Sequence, residues 1–328
     1  MGRNKMLLPA ALFCLAAAVL SLCLGSVNIR PGEILRFLTT GEGGAVGNIL
    51  RFSRIPRTLA CLLAGAALGV SGAVLQKVLN NPLASPSVIG INAGAGLGVN
   101  VCCALGLLSG WAVSVGAFLG AFGAVCMIFF LCRRAGASKT TVILSGVAMN
   151  SVLGACSEAI SVLDPDVAVL SLDFRVGGFG SVSYVRLVPG AVLILLGLMV
   201  LLTLGNELDV LALGDETARG LGLKTGQYRI LFLSLAALLA GAAVSFSGLL
   251  GFVGLLVPHF LRKIVGGESR CLLPMAALVG AGFVAVCDLG GRLLFAPFEL
   301  PVGILMALLG GPAFAAVILR RKGGASNG

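Results

Sequence analysis

Apolar residues along this chain fall in long runs, separated by short clusters of glycine, proline and charge. The runs lack the apolar–polar alternation of a half-buried strand and so predict helices. A helix of roughly 20 apolar residues crosses the hydrocarbon core of a bilayer. The runs predict spans over residues 6–27, 57–79, 88–108, 111–132, 140–163, 186–205, 229–247, 250–264, 272–291 and 301–319. The span at 250–264 is the shortest and begins among glycines. The first run is long and has no small-x-small cleavage site, so it reads as a first transmembrane helix and not as a signal peptide. The expected fold is all-α: one polytopic transmembrane domain over residues 1–328, with about ten helices.

An internal echo bears on how those helices are arranged. Ala64-Gly65-Ala66-Ala67, followed by Ser71-Gly72, lies in the second span; Ala240-Gly241-Ala242-Ala243, followed by Ser247-Gly248, lies in the seventh. Spans five apart run in opposite directions, as two inverted five-helix halves require, a common transporter plan. Chance matching in Gly/Ala-rich sequence explains the echo equally well.

Composition agrees with a bilayer. Hydrophobic residues make up 58% of the chain and charged residues 11%, against about 25% charged in soluble domains. The 48 glycines would weaken helices in water, but let helix backbones approach closely in lipid. A membrane barrel would need alternating polarity, which is absent. The ten cysteines are scattered, mostly in apolar runs such as those holding Cys14, Cys61 and Cys126, with no metal-binding spacing. They read as small apolar core residues.

Charge gives direction. With ten spans, Arg3–Lys5, Arg133–Lys139, Arg219–Arg229, Arg262–Arg270 and Arg320–Lys322 fall on one side. The excess of Lys and Arg makes that side cytoplasmic, with both termini there. These cations flank spans, so they read as orientation signals and not as a nucleic-acid surface. The loop from Asn28 to Arg57 breaks the rule: it lies outside, yet carries Arg30, Arg36, Arg51, Arg54 and Arg57, and Arg292 is outside too. This is either a local exception or the footprint of an acidic partner.

Candidate chemistry is sparse. The nearest approach to a phosphate-binding loop is Gly222-Leu223-Lys224-Thr225, where Leu223 stands in the required Gly position. Any ATPase is therefore expected on a separate subunit, and no cofactor or metal on this chain. The longest polar stretch inside, Asn206 to Arg229, predicts a short helix ending at Gly214 and a second capped by Asp215, with Glu216 in its first turn. Such a pair either docks in a groove of another protein or lies on its own bundle. Asn80-Asn81-Pro82-Leu83-Ala84-Ser85-Pro86 breaks the helical pattern. Irregular backbone at membrane depth lines a cavity or is buried in protein. The single His259 reads as structural or interfacial and not as catalytic. Asp288 and Arg292 are spaced for an i,i+4 ion pair, and Glu158 is an acid within the fifth span.

Taken in order, these marks resemble the FecCD-type permeases of ABC importers, over nearly the whole chain. The marks are Arg54-Ile55-Pro56-Arg57; Ser71-Gly72 with Gln76; Asn81-Pro82-Leu83-Ala84; and Leu213-Gly214-Asp215-Glu216 with Ala218 and Leu221-Gly222. Further on come Gly251-Phe252-Val253-Gly254-Leu255-Leu256-Val257-Pro258-His259 with Arg262, then Asp288, Arg292 and Glu299-Leu300-Pro301-Val302-Gly303. Ser85 sits where an acid is common in the family, and Gly291 where Ala is.

The resemblance implies alternating-access import of an iron–siderophore complex, haem or cobalamin across the bacterial inner membrane. It implies a dimer with itself or a close homologue, two cytoplasmic ATPases that use ATP and Mg, and a periplasmic or lipid-anchored binding protein. It makes Leu211, Leu213, Gly214, Asp215, Glu216, Ala218, Arg219, Leu221 and Gly222 the ATPase-coupling residues. Arg54, Arg57 and Arg292 would dock the binding protein, and Ser138, Lys139, Thr140 and Thr141, with Asn81 and Pro82, would border the gate. The competing class is an ion-gradient-driven secondary transporter, which needs ionisable groups at the membrane midplane; these are scarce. A membrane enzyme needs a reactive cluster that the sequence lacks.

Overall fold

The computed structural model describes residues 6–25, 27–41, 44–135 and 139–323, with side chains over the same residues except 132–135, 139 and 316–323. Among the described residues the regular structure is entirely helical. In chain order, α1 (Leu7–Cys23) is followed by α2 (Pro31–Thr40) and α3 (Gly44–Ile49). A π-helical turn (Leu50–Arg54) then runs straight into α4 (Ile55–Val78). Next come α5 (Ile91–Ala104), α6 (Gly110–Ala135), α7 (Lys139–Leu163), α8 (Pro165–Leu170), α9 (Leu172–Val176) and α10 (Tyr184–Thr203). The chain continues through α11 (Gly205–Ala212), α12 (Asp215–Gly220), α13 (Thr225–Ser247), α14 (Val253–Val265), α15 (Ser269–Leu293) and α16 (Val302–Gly323). The end that carries Arg57 is called outer and the end that carries Lys77 inner, after the orientation expected from charge.

Among the described residues six stretches are long and apolar enough to cross a membrane: Gly44–Val78, Gly110–Leu131, Thr140–Leu163, Tyr184–Thr203, Thr225–Ser247 and Ser269–Leu293. The other four expected spans are occupied by the shorter α1, α5 and α14 and by α16. With 13 residues, α14 rises about 20 Å, short of a hydrocarbon core of about 30 Å.

The core is built on α4, which packs against α15, α13, α14 and α1. Its apolar window is 83% buried, whereas that of α7 is 17% buried and turns its apolar surface outward. Glycine makes this central position possible. A Cβ on Gly65 would stand 2.2 Å from the Gly280 carbonyl oxygen of α15, and one on Gly72 would stand 1.8 Å from that of Gly254 in α14. The two echoed segments lie on α4 and α13. These helices are antiparallel and packed on each other, with the Ser71 hydroxyl donating to the Ala236 carbonyl at 2.7 Å.

The break after α4 is ordered and largely inside the protein. Asn80 takes a left-handed conformation (φ 48°), the Leu83 amide donates to Asn81 Oδ1 at 2.9 Å, and Ala84, Ser85 and Ile89 are buried. From α7, the Asn150 amide donates to the carbonyls of Ser87 (2.9 Å) and Val88 (3.1 Å), which a continuous helix would have satisfied itself. The second break, between α13 and α14, is stitched to the tail of α9. There the Gly178 amide donates to the Ser247 carbonyl at 2.8 Å and the Leu249 amide to that of Phe174 at 2.9 Å.

Candidate functional site: the inner coupling face and the outer charge cluster

At the inner end, α11 and α12 form the expected short helix pair. Leu208, Leu211 and Ala218 are fully buried and fix the pair to the bundle. Leu213 and Leu221 are 63% and 64% exposed, flanked by exposed Glu216 and Arg219. Gly214 (φ 109°) and Gly222 (φ 84°) supply the turns on either side. Past α12 the Leu223 amide donates to the Ala218 carbonyl at 2.9 Å, and Gly222 donates to Arg219 at 2.9 Å, a glycine C-cap of the Schellman type.

One expectation is corrected here. The residue before α12 is Gly214, with no side-chain cap; the Asp215 carboxylate instead pairs with the Arg229 guanidinium of α13. A full positive charge on a buried helix outcompetes a backbone amide for that carboxylate.

Sequence reasoning missed a second ion pair at this end. Lys77, in the last turn of α4, pairs with Asp209 of α11 and donates to the Ser269 hydroxyl of α15 at 2.7 Å. Asp209 also accepts from the Ser269 amide (3.0 Å) and hydroxyl (2.8 Å). The signal was visible: after Arg57, Lys77 is the one charge in the run 57–79.

At the outer end three arginines converge. Arg57 grips the Asp288 carboxylate through Nε (3.0 Å) and Nη2 (3.0 Å), and reaches Glu299 through Nη1 at 2.6 Å. Arg292 meets Asp288 at 3.0 Å, the expected i,i+4 pair. It also donates to the Ser21 hydroxyl at 2.9 Å and the Leu24 carbonyl at 3.2 Å. Arg54 donates to the carbonyls of Leu24 (2.6 Å) and Val27 (3.0 Å). The Asp288 side chain is 1% exposed and those of Arg292 and Arg57 are 3% and 14% exposed; Glu299 is 46% exposed.

Arg54 and Arg292, expected to face a partner, are therefore turned inward and hold the α1–α2 connection to α4 and α15. Of the three docking candidates Arg57 borders a cavity of about 430 Å³, shared with Asp173, Glu299 and the glycines of 177–180. Arg30, Arg36 and Arg51 stand exposed at this end.

The expected gate is only partly described. Ser138 lies outside the described residues, as does the side chain of Lys139 at the start of α7. Thr140 is exposed, and Thr141, Asn81 and Pro82 are half-buried. Helix α7 touches the break after α4 through Asn150. Glu158 is exposed near the outer end of α7. No group of three or more His, Cys, Asp or Glu able to hold a metal exists among the described residues.

A many-helix apolar bundle with broken helices, a polar helix pair at one end and a charged mouth at the other defines a multi-pass membrane permease. The chain belongs to the FecCD transport family, which it matches over residues 13–320. It is 37% identical to the hemin transport system permease protein of Yersinia pestis, with 92% of each chain covered. It is 35% identical to the vitamin B12 import system permease protein of Klebsiella pneumoniae, covering 98% of this chain and 95% of that one. It is also 36% identical to an uncharacterized ABC transporter permease protein of Bacillus subtilis, over 96% of this chain and 93% of that one. Among solved structures, an inward-facing ABC transporter of metal-chelate type superposes with a TM-score of 0.86 at 28% identity, over 97% of this chain and 99% of that one.

Proposed function

We propose that this chain is the membrane-spanning subunit of an ATP-binding-cassette importer that moves an iron complex (a ferric siderophore or haem) or cobalamin across the cytoplasmic membrane. The carrying observation is the family membership, with relatives that are hemin and vitamin B12 permeases. Two copies, or this chain and a close homologue, enclose one central passage, with both termini cytoplasmic. ATP and Mg are used by two separate ATPase subunits seated on α11 and α12, where the exposed Leu213 and Leu221 supply an apolar contact between Glu216 and Arg219. A periplasmic or lipid-anchored binding protein delivers substrate at the outer mouth. Its acidic residues meet Arg57 and the exposed Arg30, Arg36 and Arg51, while Arg54 and Arg292 hold the rim. Such rim charges act mainly on encounter rate and register.

Binding of ATP draws the ATPases together, α11 and α12 move with them, and the passage changes the side to which it opens. The test is reconstitution of this chain with its ATPase and binding protein in liposomes, offering labelled ferric citrate, haemin and cobalamin separately. One of the three enters, and only with ATP and the ATPase present. Uptake that persists without the ATPase, driven by an ion gradient, overturns the reading.

A further inference from the structure

We infer that Lys77, Asp209 and Ser269 form the joint through which movement of the coupling helices reaches the buried core. The inference rests on the importer reading and adds positioning residues that touch neither ATP nor substrate. The three side chains come from α4, α11 and α15 and bond to one another in a closed triangle.

Its electrostatics match both core helices. Lys77 places a cation in the last turn of α4, and Asp209 places a carboxylate against the first turn of α15, each favoured by the helix dipole there. The residue preceding α15, Glu268, makes no side-chain cap. The first amide of α15 is thus satisfied by a residue of the coupling helix, which lies 60 positions away in sequence. Displacing α11 would leave that amide without its acceptor and the 7%-exposed Lys77 side chain without its counter-ion, with only the Ser269 hydroxyl to accept from it. Asp209 is 31% exposed but Lys77 is buried, and taking the carboxylate from a buried cation costs more than the pair contributes net, so α4 and α15 follow α11.

The link is stiff beyond the triangle. Helices α4 and α15 are clamped again at the outer end by Arg57 and Asp288, and between those points Gly65 faces Gly280 with no room for a Cβ. Helix α12 holds the third buried helix, α13, through Asp215 and Arg229. The two coupling helices thus grip the three most buried long helices, whose apolar windows are 83%, 72% and 67% buried for α4, α13 and α15.

The test measures substrate imported per ATP hydrolysed, in liposomes holding the complete importer, for whichever of ferric citrate, haemin and cobalamin the wild type carries. Lys77→Met and Asp209→Asn are compared with wild type and with the double variant. Asp209→Asn keeps an acceptor for the Ser269 amide, so it preserves the fold if Lys77→Met does not. Each single variant is expected to bind the ATPase and hydrolyse ATP as wild type does. The import-to-hydrolysis ratio is expected to fall by about tenfold, and the double variant to be no worse than either single, because members of one network do not add. Unchanged ratios, additive losses, or a loss explained entirely by reduced ATPase binding overturn the joint. A wild type that carries none of the three substrates, or binds no ATPase, overturns the importer reading and the joint with it.

Discussion

At the scale of single residues, Asp288 carries the outer end. It is nearly inaccessible and serves two arginines at once. Asp288→Ala leaves the buried Arg292 without a carboxylate and Arg57 with Glu299 alone. A loss of about 3–5 kcal/mol is expected, read as a lower midpoint in thermal unfolding of the detergent-purified protein. Glu299→Gln removes a half-exposed partner of Arg57 and is expected to cost about 1 kcal/mol or less in the same measurement. The Asp288–Arg292 pair was legible in the sequence because its partners sit four apart on one helix. The pairing of Arg57 with Asp288, or of Lys77 with Asp209, was not, because 231 and 132 positions separate them and only tertiary packing brings them together. The inward turn of Arg54 was hidden for a further reason: its acceptors are backbone carbonyls, which carry no side-chain signature.

Among the elements, the apolar runs located the long helices, since lipid demands an apolar surface wherever a helix crosses. The ends follow closely: the run at 229–247 meets α13 (Thr225–Ser247), and that at 272–291 meets α15 (Ser269–Leu293). The small outer helices α2, α3, α8 and α9 were not foreseen. They are too short or too polar to leave a run, and they lie where loops were expected. Glycine content foretold close packing but not which glycines meet. That depends on which faces of α4, α14 and α15 turn toward one another. A prediction belongs to this scale. Gly72→Ala forces α4 and α14 apart, because its new Cβ meets backbone of Gly254 that has no flexible side chain to yield. Lower yield and a lower unfolding midpoint are expected. Gly123→Ala in α6 meets nothing within 4 Å and is expected to match wild type, as measured by size-exclusion profile and thermal unfolding.

For the molecule as a whole, the two ends divide their tasks by exposure. Inside, Leu213 and Leu221 project from a helix pair that is otherwise anchored. Leu213→Asp or Leu221→Asp is expected to abolish co-purification of the ATPase while leaving the stability of the isolated chain, read by thermal unfolding, within about 0.5 kcal/mol of wild type, as surface changes do. An unaltered association would remove this face from the partner contact. The arrangement of a polar pair inside and a charged rim outside was legible, because charges are rare enough in this chain for each cluster to stand out. How those charges divide between holding the fold and meeting a partner was not legible, since residue type carries no measure of burial.

The break after α4 constrains how such a molecule can open. Its Val88 carbonyl takes its side-chain donor from Asn150 of α7, and its Ser87 carbonyl is shared between Asn150 and the Gly90 amide. Sliding α7 by one helical turn, about 5.4 Å, carries the Asn150 amide out of reach and leaves the half-buried Val88 carbonyl without its donor. A polar backbone group without a partner costs free energy, so the slide calls for water to take the place of Asn150. Asn150 thus ties the position of α7 to the state of hydration of this break: the helix is held where the amide reaches Val88, and is released where water serves that carbonyl instead.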